Sequence, residues 1–471
     1  MPNNKINDAD LAKIFGKAVH SGEFIEAFNI LHNKDYQSNF DNSLHLGLLS
    51  AILMRETGQL NDSLNLISGL KEKYIVNPYI LGEEVYSLIA LGDINQSIER
   101  IENATNQIQE NNDVIYKLKA KRQVLQYYAD SNIDSKSDNG GYDFAMYTLI
   151  ENEHQKTLLS PGRIGNAPLK TRWVDGWFDS ESRCWYDVDS RLCIKELIFS
   201  DAGFSRFGNS QNPSEHKELP SQFDGIIDEP CIWIPMNPHY GHFITQIASF
   251  LSGLHLVNRK KIRVLISGII PKYLHELLLW NGISEDRITQ QFSGKFRTKN
   301  LFVTQASWCE WIYAHPDHRL FFQYATESIL NKSQLNKNGV KVYFSRDRLS
   351  QALRFSKNEK EVEDIASSLG YVIAYPEKMS LRDQIYLINS ASVIAGSSGS
   401  AMHSILFNVN EKFTKKIKYL SHHLPIHNCH LIDGITPNCE SIYVKAAKQL
   451  TTEKGAVLEF DIKKCREILA Y

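Results

Sequence analysis

From residue 231 to residue 420, short apolar runs rich in β-branched and aromatic residues alternate with amphipathic segments, and this alternation limits the fold more than any other feature. The runs 231–235, 262–267, 300–304, 340–345, 371–375, 392–395 and 417–420 read as strands, and 272–280, 359–369 and 381–390 between them read as helices. Strands that alternate with helices build parallel sheets. The series breaks between residues 310 and 338, which predicts two α/β halves facing each other across a cleft.

The amino-terminal part is different. Residues 8–129 are nearly free of proline, and apolar residues recur every three or four positions, as in Leu11, Ile14, Phe15 and Ala18. The hexapeptide Gly22-Glu23-Phe24-Ile25-Glu26-Ala27 returns as Gly58-Gln59-Leu60-Asn61-Asp62-Ser63 and as Gly92-Asp93-Ile94-Asn95-Gln96-Ser97, in steps of 36 (22 to 58) and 34 (58 to 92). In each copy Gly lets the chain turn between two helices, the apolar residue docks the second helix, and the small Ala or Ser permits close packing. The period resembles that of a degenerate tetratricopeptide array. Such helix pairs cannot bury their faces alone and must stack. A groove for a protein partner or an oligomer contact, and a helical cap on the rest of the chain, are equally weighted readings.

A length of 471 residues suggests about three domains. The divisions expected are a helical domain over 1–130, a connecting segment over 131–170 that starts in the polar stretch 131–142, and halves over 171–310 and 311–471. With 42% hydrophobic and 11% aromatic residues, disorder is excluded. A net charge of -2 argues against a nucleic acid partner, which would need a basic excess. The polar start Met1–Lys5 reads as no secretory signal, and no apolar stretch approaches the roughly 20 residues of a membrane helix. Seven scattered cysteines without a CxxC pair read as reduced thiols.

Three loops carry candidate chemistry. His239-Tyr240-Gly241-His242-Phe243 follows the run 231–235 and precedes an amphipathic segment, so both histidines fall at the carboxyl edge of a sheet, where open α/β folds bind ligands. Histidine there suits a general base or a phosphate donor. The run 340–345 ends in Ser345-Arg346-Asp347-Arg348, with Arg354 further on, and guanidinium groups suit bidentate phosphate recognition. The run 392–395 enters Gly396-Ser397-Ser398-Gly399-Ser400-Ala401 and then a helix over 400–407; small residues there let backbone amides approach an anion. Glu377 and Lys378 lie in the loop before Ser380, a helix N-cap, and Glu377 is placed for a ribose or sugar hydroxyl. A capping histidine, a solvated charge cluster and an unliganded tight turn are the bland readings of these loops. The three recurring at strand ends around one cleft outweigh any single one.

Residues 341–407 resemble the catalytic core of glycosyltransferase family 61, whose members are of GT-B type. The resemblance rests on Tyr343, Ser345 and Arg346, then Arg354, Asn358 and Glu359, then Pro376, Glu377, Ser380 and Gln384, and last Gly396, Gly399, Ser400 and Phe407. The loop at 239–243 is similar to the family's Asn-x-Gly-His-Phe. Three positions depart: Ser398 stands where members often have His, Gln246 where they often have an acid, and His239 where they have Asn. The resemblance implies an α/β GT-B-like fold of two Rossmann-like halves preceded by the helical repeats. It implies transfer of a sugar from a nucleotide-sugar donor to a hydroxyl of a glycan or lipid-linked glycan acceptor, with inversion, no essential metal and no cofactor beyond the donor. The acceptor side falls to 171–310 and the nucleotide side to 311–471. His242 is the expected base, with His239 second. Arg346 and the amides near Ser400 are expected to stabilise the leaving diphosphate. A cytoplasmic enzyme of surface polysaccharide or lipopolysaccharide assembly, in at most peripheral contact with the inner face of a membrane, is the expectation. A degenerate transferase serving as a scaffold, and a protein O-glycosyltransferase, are the alternatives.

Overall fold

Gly58, the middle repeat glycine, turns the chain between two helices as the sequence predicts. A computed structural model describes residues 6–21, 24–33, 40, 43–74, 77–91, 93–107, 114, 118, 122, 142–151, 154–166, 168–197, 216–235, 239–309, 313–330, 339–348, 354–411, 413–422, 427–452 and 455–471. Helices pair as α1 (Asp8–Ser21) with α2 (Phe24–Leu31), α3 (Leu44–Glu56) with α4 (Leu60–Lys73), and α5 (Pro78–Leu91) with α6 (Ile94–Gln107). The second helix of each pair begins two residues after the repeat glycine; Gly22 and Gly92 themselves lie outside the described residues. Gly58 takes φ +81°, a left-handed conformation that reverses the chain at little cost for a residue without Cβ. Ala27, Ser63 and Ser97 are fully buried, and Ser63 Oγ donates to Ala51 O across the helix pair at 2.9 Å.

The strands in chain order are β1 (Tyr142–Glu151), β2 (His154–Gly165), β3 (Thr171–Asp179), β4 (Cys184–Asp187), β5 (Gly225–Ile227), β6 (Cys231–Ile234), β7 (Arg263–Ile266), β8 (Ile288–Thr289), β9 (Lys295–Thr304), β10 (Trp308–Cys309), β11 (Tyr313–Ala314), β12 (Val340–Phe344), β13 (Arg354–Ser356), β14 (Tyr371–Ala374), β15 (Ala391–Ser397), β16 (Lys415–Ser421), β17 (Cys439–Lys445), β18 (Ala447–Thr452) and β19 (Gly455–Phe460). A seven-stranded sheet runs β4-β3-β9-β6-β7-β8, with β5 also on β9. A nine-stranded sheet runs β10-β11-β2-β1-β17-β16-β15-β12-β14, parallel from β1 through β14. The remaining sheet is β13-β19-β18.

Each run expected between 231 and 420 forms a strand, shifted by a few residues at its ends. The helices of this region are α7 (Tyr240–Thr245), continued by a 3₁₀ helix at Ile247–Leu256, then α8 (Lys272–Trp280), α9 (Leu320–Ile329), α10 (Glu359–Ser368), α11 (Leu381–Ser390), α12 (Ser400–His403), continued by a 3₁₀ helix at Ser404–Phe407, then α13 (His427–Ile435) and α14 (Ile462–Ala470). The fold is mixed α/β with parallel-rich sheets behind an all-helical amino-terminal region.

One arrangement differs from expectation. Residues 142–165, expected within a connecting segment, form the β1–β2 hairpin, and β1 pairs in parallel with β17 through Thr148↔Ile442 and Leu149↔Tyr443. The hairpin thus extends the sheet of the carboxyl-terminal half, with a partner almost three hundred residues away. Residues 131–141 lie outside the described residues.

The helical region covers the end of that sheet. Lys156 of β2 lies over the Phe28 ring at 3.5 Å and donates to Asn29 Oδ1 at 3.2 Å. Val85, Ile89, Ile98 and Ile101 bury against Cys309 of β10. One continuous core runs from Leu11 and Phe15 through Leu149 and Leu158 to Phe243, Phe344 and Phe407. Each such Leu or Phe contributes about 1.5–3 kcal/mol by leaving water. Covering the edge strands also prevents them from templating pairing with another chain. Among the described residues no helix is long and apolar enough to cross a membrane.

Candidate active site

β6, β12 and β15 end where the sequence places its three loops. β6 leads toward His239 and α7; β12 ends at Phe344, directly before Ser345 and Arg346; β15 ends at Ser397, before Gly399 and α12. These are carboxyl ends of parallel strands in two different sheets.

The histidine loop and the Gly/Ser turn meet. A Cβ on Gly241 would come within 2.5 Å of Ser400 Oγ, so only glycine fits at the present spacing. Tyr240 OH and Ser404 Oγ are hydrogen-bonded at 2.8 Å. The His239 and His242 rings lie 4.8 Å apart. His242 Nδ1 is 3.1 Å from Gln246 Oε1. An amide oxygen only accepts, so Nδ1 carries the proton and Nε2 is the basic nitrogen. Gln246 therefore offers His242 an uncharged acceptor.

His403 reaches the same place from α12. Burial, followed by the proximity of His242 and His239, pushes its imidazole down to about 4. Its Nδ1 is buried without a protein partner. Behind the loop, His318 Nε2 donates to Ile244 O at 2.7 Å and Nδ1 accepts from Ser307 Oγ at 2.9 Å, which ties α7 to the α9 side. Among the described residues no group of three or more His, Cys, Asp or Glu is arranged to hold a metal ion.

Arg346 comes from the other side. A Cβ on Gly399 would sit 3.1 Å from Arg346 Nη1, so the guanidinium lies against the bare glycine backbone. Two buried acids on α10 fix this strand end. Glu359 accepts from Tyr343 OH at 2.7 Å and from Arg346 N at 3.4 Å; burial holds its carboxyl above the usual range. Glu363 accepts from Ser345 Oγ at 2.6 Å. Asn358 Nδ2 donates to Phe460 O and its Oδ1 accepts from Phe460 N, clamping the start of α10. The segment Asn358-Glu359 thus anchors the arginine strand end.

The other expected residues divide. Ser345 is buried with its hydroxyl given to Glu363, away from the turn. Arg348 is exposed and lies over the Tyr375 ring at 3.9 Å. Arg354 belongs to β13, in the three-stranded sheet, and its side chain lies outside the described residues. Glu377 and Lys378 are exposed on a 3₁₀ turn. Ser380 caps α11, accepting from Asp383 N at 3.1 Å. Gly396 packs where a Cβ would press Phe344 O and Met402 Sδ, both at 3.1 Å. Ser397 Oγ is buried without a partner, Ser398 Oγ bonds Ser421 Oγ at 3.0 Å, and Ser400 and Ala401 are partly exposed at the start of α12. The histidine loop, Arg346 and Gly399–Ser400 come together; Arg348, Glu377, Lys378 and Ser380 line the neighbouring edge at β12 and β14.

Sequence reasoning gave no role to Tyr240, His403 or Ser404. The signal was there for His403 and Ser404: with Ser400 they stand at i, i+3 and i+4, one face of a helix.

The histidine loop, Arg346 and the Gly399–Ser400 turn thus lie at strand ends of two different sheets. Residues 240–416 match the family model described as Glycosyltransferase 61, so the chain carries a glycosyltransferase 61 domain that starts on the histidine loop and ends in β16. The domain makes the protein an enzyme of glycosyl transfer, with a sugar donor and an acceptor as its substrates. No curated protein matches the chain.

Proposed function

We propose that the protein moves a sugar from a nucleotide-sugar donor to a hydroxyl of a glycan acceptor, in a GT-B-like arrangement of two Rossmann-like halves with a tetratricopeptide-like cap. The observation that carries this reading is the approach of Gly241, next to His242 on the β6 side, to Ser400 on the β15 side, with Arg346 of the β12 end lying on the neighbouring Gly399. In the reaction the acceptor oxygen bonds to the anomeric carbon while the bond from that carbon to the diphosphate breaks. His242 Nε2 takes the acceptor proton. The charge that develops on the diphosphate falls to the Arg346 guanidinium and the amides of Gly399, Ser400 and Ala401. A single displacement from the opposite face inverts the anomeric centre and needs no metal if these groups carry the charge. The product class is a surface polysaccharide or lipopolysaccharide, made from donors in the cytoplasm.

The continuous core between α1–α4 and the sheets favours the cap reading of the helices over a free partner groove. The Gln246 contact to His242 favours a working enzyme over a degenerate scaffold. A structure with bound nucleoside diphosphate tests the donor side. Phosphate oxygens within hydrogen-bond distance of Arg346 and of the Gly399–Ala401 amides are expected; a diphosphate bound away from both overturns the assignment.

A further inference from the structure

His239 stands at the corner where the histidine loop meets the Gly/Ser turn. A Cβ on Gly241 would come within 2.5 Å of Ser400 Oγ and 3.3 Å of His239 Cε1, so the hydroxyl of the turn and the His239 ring crowd the same point. The ring lies 4.8 Å from that of His242. Arg346 Nη1 lies on Gly399, one residue before Ser400. His239 therefore sits between the expected base and the expected diphosphate cradle. The two histidines differ in setting. His242 is partly buried with Gln246 Oε1 at 3.1 Å, whereas His239 is exposed. His239 opens α7 through its carbonyl, which accepts from Phe243 N at 2.9 Å, and its ring does not cap the helix.

Two imidazoles this close resist carrying charge together, so they titrate as a pair that holds one proton over an intermediate pH range. A diphosphate on Arg346 and the Gly399–Ala401 amides brings its negative charge to the His239 side, which favours the proton there and leaves His242 neutral. We propose that His239 is a catalytic acid for the leaving group: as imidazolium it donates to the oxygen that joins the diphosphate to the anomeric carbon. While His242 Nε2 takes the acceptor proton, the bond from the anomeric carbon to that oxygen breaks. The electron pair stays on the oxygen, and the His239 proton moves onto it. The histidine pair starts and ends with one proton, which finishes on His242, and the nucleoside diphosphate leaves protonated. The charge growing on His242 drives the proton off His239, so acceptor deprotonation and donor departure are coupled. Of the other titratable groups here, His403 on α12 is held neutral by burial, as are the phenols of Tyr240 and Tyr273. Arg346 is a fixed cation whose charge the diphosphate neutralises. The proposal rests on the reading of His242 as the base and of the turn as the diphosphate cradle, and it gives His239 the opposite role to a second base.

The test compares the full chain with His239→Asn, which keeps an N–H donor but cannot carry a proton. The wild-type kcat/KM for the acceptor, at saturating donor, is expected to be bell-shaped in pH. In His239→Asn kcat is expected to fall about ten- to a hundredfold and the basic limb to disappear. The acid limb is expected to move to higher pH, because a neighbouring cation no longer disfavours protonation of His242. A second readout needs no turnover. Calorimetric titration with uridine and guanosine diphosphate, in buffers of different ionisation heat about one pH unit above the ordinary imidazole value, is expected to show more proton uptake in the wild type than in His239→Asn. Equal proton uptake in the two chains while a diphosphate binds both would overturn the proposal and leave the donor reading intact. So would a kcat within about twofold and an unchanged pH profile. Loss of the acid limb alone in His239→Asn would make His239 the base and overturn it as well. A wild type that neither binds a diphosphate nor transfers a sugar would overturn the donor reading, and the proposal with it.

Discussion

His242 Nδ1 lies 3.1 Å from Gln246 Oε1, one helical turn further along the chain. The contact fixes the tautomer of the imidazole without adding charge. Replacing Gln246 by Glu keeps the acceptor and adds a carboxylate, which stabilises the protonated ring. The acid limb of the pH profile of kcat/KM is expected to move to higher pH in Gln246→Glu. Gln246→Leu is expected to lose about tenfold in kcat through the lost orientation.

Gly241 and Ser400 define the narrowest approach between the two sides of the site. Gly241→Ala is expected to push the histidine loop off the turn and lower kcat by about tenfold or more. The atom it strikes is the Ser400 hydroxyl, so Ser400→Gly in the same chain is expected to restore most of that loss. Steady-state kinetics of the two single variants and the double variant check this; equal losses in Gly241→Ala and in the double variant would contradict it.

Arg346 and Arg348 look alike in the sequence and differ in the fold. Arg346 lies on the Gly399 backbone, whereas Arg348 is exposed on the Tyr375 ring. A charge-assisted hydrogen bond is worth about 1.5–3 kcal/mol, so Arg346→Ala is expected to weaken nucleoside diphosphate binding about ten- to a hundredfold. Arg348→Ala is expected to have the smaller effect of the two. Calorimetric titration of both variants decides it.

What was legible in the sequence was what local pattern encodes. The strand runs, the helices over 272–280 and 381–390, and the spacing of Gly22, Gly58 and Gly92 all follow from short-range periodicity and turn chemistry. The loops were legible because their residue types are tied to strand ends. The β1–β2 hairpin was not, since its pairing with β17 depends on residues far along the chain. The same holds for Ser345 and Arg354. Ser345 looks like a phosphate donor until Glu363 on α10 takes its hydroxyl, and Arg354 follows β13 into a separate sheet. The convergence of His403 on His242 is equally non-local and needs the docking of α12 against α7.

His318 gives the fold a defined response to acid. Burial pushes its imidazole down to about 4, against 6.5 for an exposed ring. Between those values the unfolded chain binds more protons than the folded one, so stability is fully present above 6.5 and is lost as the pH falls toward 4. The loss from this group approaches about 1.4 kcal/mol per pH unit. Urea unfolding near neutral pH and about two units lower is expected to show a shallower pH dependence in His318→Asn than in the wild type.

The helical region shares its core with the sheets, through Phe15 and Leu31 on one side and Leu149 and Leu158 on the other. Removing residues 1–130 would uncover this apolar surface and the β10-β11-β2 side of the nine-stranded sheet. The truncated chain is expected to aggregate or unfold cooperatively at lower denaturant than the full chain. A stable, fully active truncated protein would show that the helices are an independent module.

Sugar transfer with His242 as the base is decided by the turnover of a panel of nucleotide sugars by the full chain and by His242→Ala. One donor is expected to be consumed, with release of nucleoside diphosphate. His242→Ala is expected to lose about a hundredfold or more in kcat while still binding that donor. Turnover by His242→Ala at the wild-type rate would exclude His242 as the base, and no donor consumed by the wild type would exclude transfer from these nucleotide sugars.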